Sequence, residues 1–76
     1  CGPCRMIAPI IEELANHFHG KAVIAKVDIE ESQGVASQLG ITSIPTIILF
    51  KNGQEVKRFV GVKDADALTD LVNSAL

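Results

Sequence analysis

The sequence predicts an α/β fold in which three strands carry three packed helices. Three observations lead there. Apolar side chains recur at helical spacing near both ends of the chain. Between them stand an alternating segment and a short unbroken apolar run. Asn52-Gly53 then supplies the strongest short hairpin signal. Alternating elements of this kind bury their apolar faces by layering helices on a sheet. Periodicity leaves the pairing of the first strand open.

The elements follow in order. From Pro3 to about Phe18 the apolar positions Ile7, Ile10, Ile11, Leu14, Ala15 and Phe18 lie on one helical face. Pro3 suits a first helical turn, where its missing N–H would have had no partner. Pro9 falls inside the pattern and is expected to kink the helix. Gly20 marks the stop. Lys21 to Ile29 alternates, with Val23, Ala25, Val27 and Ile29 forming the apolar face, and is expected to be a strand. Ser32 to Leu39 is expected to be a short helix capped by Ser32 and ended by Gly40. Thr46 to Phe50 is apolar throughout, long enough for a buried strand and too short for a helix. Asn52-Gly53 joins it to a strand from Glu55 to Val60. Asp64 can cap a last helix whose apolar face is Leu68, Leu71, Val72 and Ala75.

Seventy-six residues are expected to make a single domain, residues 1–76. A chain this small buries only about 60–65% of its unfolded surface, so its core is thin. With 47% hydrophobic residues and a mean hydropathy of +0.30, the composition excludes intrinsic disorder. No apolar run approaches the roughly 20 residues of a membrane-spanning helix. A net charge of −2 lacks the basic footprint that nucleic acid requires. The two cysteines, Cys1 and Cys4, could close only a very short loop, which removes little chain entropy. They are expected to be there for chemistry, or as a remnant of it, rather than as a staple.

Cys1-Gly2-Pro3-Cys4 places both thiols at the start of a helix, where free N–H groups and the positive end of the macrodipole favour an anion. A thiolate is such an anion, so Cys1 is expected to be the nucleophile of dithiol–disulfide exchange. Cys4, one turn inside, can attack the mixed disulfide and release the partner. Other readings stand beside this one. The pair could be half of a zinc site, but the remaining ligands, His17 and His19, lie about 20 Å away along a helix of some 15 residues. Two copies of the pair could bridge a metal or an iron–sulfur cluster between chains, or the cysteines could be inert. His17 and His19 are expected to be solvated residues at a helix end. Ile44-Pro45-Thr46, directly before the apolar run, is on local physics a constrained turn leading into the strand.

Together these pieces resemble the thioredoxin family, and the likeness runs over essentially all of the chain. It is carried by Cys1-Gly2-Pro3-Cys4, Met6-Ile7-Ala8-Pro9, Ile44-Pro45-Thr46, Phe50-Lys51-Asn52-Gly53 and Val60-Gly61. The resemblance implies that Cys1 is the nucleophile and Cys4 the resolving cysteine. It implies a redox-active Cys1–Cys4 disulfide and no bound cofactor. It implies that Pro45 is a cis-proline beside the disulfide, flanked by Ile44 and Thr46 on the substrate surface, with Gly61 on the same surface. Gly2 and Pro3 belong to the motif, Pro9 matches a helix-kinking proline, and Lys26 matches a lysine that approaches a buried carboxylate. The implied partners are protein disulfides and a flavin-containing, NADPH-dependent thioredoxin reductase, and the implied compartment is the cytoplasm.

The sequence also departs from the family. Family members carry a strand, a helix and a central strand ahead of the dithiol, and this sequence opens at the dithiol. The fold expected is therefore a truncated thioredoxin-like one. The tryptophan before the first cysteine and the acid facing Lys26 have no counterpart, and Asp28 is expected to be a surface or turn residue. Uncovered strand edges pair with other chains. The expectation is closure by direct pairing of residues 22–29 with 46–50, together with self-association. An inactive fragment that needs its N-terminal partner is the alternative to a weakened reductase.

Overall fold

A computed structural model describes residues 2–76. Helix α1 spans Gly2–His17, α2 Gln33–Leu39 and α3 Ala65–Ala75, and the strands are β1, Thr46–Lys51, and β2, Gln54–Val60.

Helix α1 runs unbroken through Pro9 and buries Ile7 and Leu14, with Ile10 and Ile11 packed beside them. It ends where Gly20 takes a φ of +83°, a conformation that costs a residue without a side chain nothing. The Phe18 carbonyl accepts both the Lys21 and Ala22 N–H groups there. Phe18 is only 1% exposed and closes the core with Leu68 and Val72 of α3. The core is thus a seam between two helices, as the apolar spacing of both predicts. Asp64 caps α3 through a 2.8 Å bond accepted from the Ala67 N–H. The expected cap at Ser32 differs: the residue occupies the position, but its side chain makes no capping bond. The other end of α2 is closed instead, because Gly40 adopts a left-handed conformation and the Gly40 and Ile41 N–H groups return to Ser37 and Ala36 carbonyls.

The first expected strand is corrected. Residues 22–28 carry no regular structure, and among the described residues the sheet has two strands, not three. Their expected direct pairing with residues 46–50 does not occur. Side-chain alternation is a local property, whereas a strand exists only when a neighbour takes its N–H and C=O groups. The phase is also reversed. Ala22 and Ile24 follow Phe18 onto the core, and Val23, placed on the apolar face in sequence, is 94% exposed.

The hairpin forms as expected. Asn52 and Gly53 both have positive φ, the two-residue turn whose twist matches paired strands. The register runs Lys51 to Gln54 and Phe50 to Glu55, then shifts so that Leu49 faces Lys57 and Thr46 faces Val60. Val56 is the extra residue of a bulge. Ile47 and Leu71 pack against the helical core, so the Ile47–Leu49 face of β1 looks toward the helices. Beyond the ladder the Gly61 N–H donates to the Pro45 carbonyl at 2.8 Å. Antiparallel pairs alternate between bonded and non-bonded, so the main-chain groups of Thr46 and Ile48 point to the free edge of β1.

Candidate dithiol site

Gly2, Pro3 and Cys4 form the opening turn of α1. Pro3 sits where its absent N–H costs no helical bond. Among the described residues the first turn carries no acidic side chain to offset the positive end of the helix. Cys4 is half-buried and disulfide-bonded. Cys1, the expected nucleophile, lies outside the described residues.

A second cluster stands at the open end of the hairpin. The Ile44–Pro45 peptide is cis. Pro45 and Thr46 are half-buried and Ile44 is exposed. The Thr46 hydroxyl donates to the Ser43 carbonyl at 2.6 Å and closes the turn on itself. Gly61, at φ +101°, clamps the same turn from β2 through its bond to Pro45. Proline has no N–H to return, so the ladder stops there. Gly61 is therefore held against the Ile44-Pro45-Thr46 turn by one main-chain bond.

Two further expected positions are exposed. Pro9 is exposed on α1. Lys26 is exposed in the unpaired 22–28 segment, and no polar or charged residue is buried among the described residues. Asp28 is a turn residue, as expected, its carboxylate accepting from the Glu30 N–H at 2.9 Å. His17 and His19 are both exposed at the helix end. Among the described residues no three His, Cys, Asp or Glu side chains converge on a cation site. Ser43 was missed by sequence reasoning; the signal was a threonine three positions after a turn residue, a spacing that lets a hydroxyl reach back to the chain.

Comparison with known proteins fixes the family. The thioredoxin family model matches residues 1–74, a span that includes both clusters. The chain belongs to the thioredoxin family. It is 46% identical over 76 residues to thioredoxin from Bacillus subtilis (strain 168), covering all of this chain and 73% of that one. It is 45% identical over the same length to thioredoxin from Staphylococcus aureus, again covering 73% of it. Among solved structures, a mutant thioredoxin from Halobacterium salinarum NRC-1 superposes with a TM-score of 0.90 at 44% identity. That alignment covers 99% of this chain and 65% of the thioredoxin, so the chain spans about two thirds of its length. No helix among the described residues is long and apolar enough to cross a membrane.

Proposed function

We propose that this chain is a thiol–disulfide oxidoreductase that reduces protein disulfides. The observation that carries the reading is a disulfide-bonded cysteine in the first turn of α1, a turn with no acidic side chain. A helix start of that kind favours a thiolate. In the proposed cycle the Cys1 thiolate attacks one sulfur of the substrate disulfide. The Cys1–substrate bond forms, and the other substrate sulfur leaves as a thiolate. The Cys4 thiolate then attacks Cys1, forming the intramolecular disulfide and releasing the second substrate thiolate. Two electrons pass from the dithiol to the substrate, and the released thiolates take protons from water. Gly2 and Pro3 precede Cys4 on the opening turn and belong to the motif. Ile44, Pro45, Thr46 and Gly61 form the surface against which the substrate lies. Lys26 and Pro9 act in support, the first as a cation near the resolving step and the second by shaping α1. No cofactor takes part; a flavin-containing, NADPH-dependent thioredoxin reductase would restore the dithiol.

Reduction of insulin by dithiothreitol, followed as precipitation of the freed chains, tests this. The intact chain should accelerate it, and Cys1→Ser should fall to the uncatalysed rate. Cys4→Ser should accumulate a substrate-linked adduct visible by intact mass. Equal rates for the chain and Cys1→Ser would remove the reading. A visible absorption band bleached by chelators would instead support a cluster bridged between two dithiols.

A second proposal concerns partners. The free edge of β1 leaves unpaired main-chain groups, and Val23 and Val27 leave exposed apolar surface. Such an edge favours self-association.

A further inference from the structure

We infer that a groove beside the hairpin receives the acidic turn at residues 27–31 of a second copy of this chain. This contact rests on the self-association reading above and stands beside the one at the β1 edge. Charge is unevenly placed along the sequence. Between positions 51 and 63 stand four cations, Lys51, Lys57, Arg58 and Lys63, against one acid, Glu55. The rest of the chain has eight acids against three cations. Glu55 is taken up by Arg58, and among the described residues no acid lies within ion-pair distance of Lys51, Lys57 or Lys63. Two of these lysines gather on one ring instead, Lys57 Nζ at 5.8 Å and Lys63 Nζ at 4.8 Å from the centre of Phe59. Lys51 and Lys57 line a groove of about 370 Å³ between the hairpin and the end of α3, with Leu49, Val56, Leu71 and Ala75 as its apolar lining. Val56, the bulge residue, is 52% exposed there.

Such a surface fits a short segment that offers an apolar side chain beside carboxylates, and the chain carries one. Val27 is 58% exposed and is followed by the exposed Asp28, Glu30 and Glu31. The turn is preformed: the Asp28 carboxylate accepts from the Glu30 N–H and the Asp28 carbonyl from the Ser32 N–H. Docking therefore costs little further ordering. Among the described residues the turn makes no hydrogen bond or ion pair with the hairpin of its own copy. Groove and turn are different surfaces, so the contact is heterologous. Edge pairing, by contrast, joins two copies and stops, because it consumes the one free β1 edge of each. The two contacts together build assemblies larger than a dimer.

Ionic strength and charge exchange test this. Sedimentation should give a mass above a dimer in about 20 mM sodium chloride and no more than a dimer in about 500 mM, where exposed charges are screened. Lys51→Gln combined with Lys57→Gln should weaken the low-salt association about 10-fold, the scale of two exposed ion pairs. Lys51→Glu with Lys57→Glu, and separately Glu30→Lys with Glu31→Lys, should each stop at a dimer, because groove and turn then repel. An equal mixture of the two reversed variants should grow past a dimer again, since each supplies the other's complement, and that recovery shows both to be folded. A mixture that stays at a dimer, or a reversed variant that associates like the parent, would overturn the inference. If Ile48→Lys removes all association while salt changes nothing, the β1 edge stands and this contact falls. A parent that is monomeric throughout would remove self-association itself, and this contact with it. An unrelated glutamate-rich peptide that shifts the Lys51 and Lys57 NMR signals of a monomeric parent would give the groove to another protein, which also overturns it.

Discussion

Glu55 and Arg58 show how far one side chain's behaviour depends on a neighbour's backbone. Residues three apart on a regular strand point to opposite faces. The extra residue at Val56 re-phases β2, so that Glu55 and Arg58 face Phe50 and Ile48 on a common side. They meet there in a two-pronged bond, Nε to Oε2 at 2.9 Å and Nη2 to Oε1 at 2.6 Å. The Arg58 hydrogen bond holds the Glu55 carboxyl below the usual carboxylate value. A lowered carboxylate stabilises the fold at pH above its unfolded value, and that contribution is lost as pH falls through the lowered folded value. The pair is solvent-facing, so its weight in overall stability is small. Carboxyl NMR should give Glu55 the lower titration midpoint, and Arg58→Ala should bring it back up to the ordinary range. An unmoved midpoint would mean that the pair does not form in solution. The pair was not legible beforehand, whereas the Thr46–Ser43 bond follows a local spacing that sequence reasoning passed over. Residue types were visible in the sequence, but the phase that brings them together was set by a bulge no local pattern announces.

At the scale of elements, legibility followed locality. The helices were predicted from spacing and caps, and Leu68 and Val72 are buried as that spacing requires. The hairpin was legible in two residues, because Asn52-Gly53 accepts the positive φ its turn demands. Residues 22–28 were misread for the converse reason: their pattern is real, but a strand's other half is nonlocal. Caps sort the same way. Asp64 binds the α3 N-terminus, while Ser32, at φ −124° and ψ 55°, does not aim its hydroxyl at α2. Asp64→Ala should therefore cost about 1 kcal/mol, and Ser32→Ala clearly less. Paired urea melts check this; equal losses would deny the distinction between the two caps. The cost would be felt in the core, since α3 supplies half of the seam that Phe18 closes.

For the whole molecule the governing fact is that its two sheet edges differ. The outer strand β2 carries Glu55, Lys57, Arg58 and a bulge, devices that discourage further pairing. The free edge of β1 carries Thr46, Ile47, Ile48, Leu49 and Phe50 without a charge among them, the strand's one charge being Lys51 at the turn. The proposed self-association belongs to that edge. Sedimentation at micromolar concentration should show mass rising with concentration, and Ile48→Lys should shift the chain toward monomer. A compact, cooperatively unfolding monomer throughout that range would contradict the proposal.

Val56 carries one more consequence, and it concerns the far end of the hairpin. Counting outward from the turn, an unbulged ladder would set Gly61 opposite Ile44; the one extra residue sets it opposite Pro45. The alignment of the turn that leads into β1 is therefore decided about 16 Å away along β2. A single-residue deletion there would leave every residue of the dithiol motif in place and still put the clamp out of step with its proline.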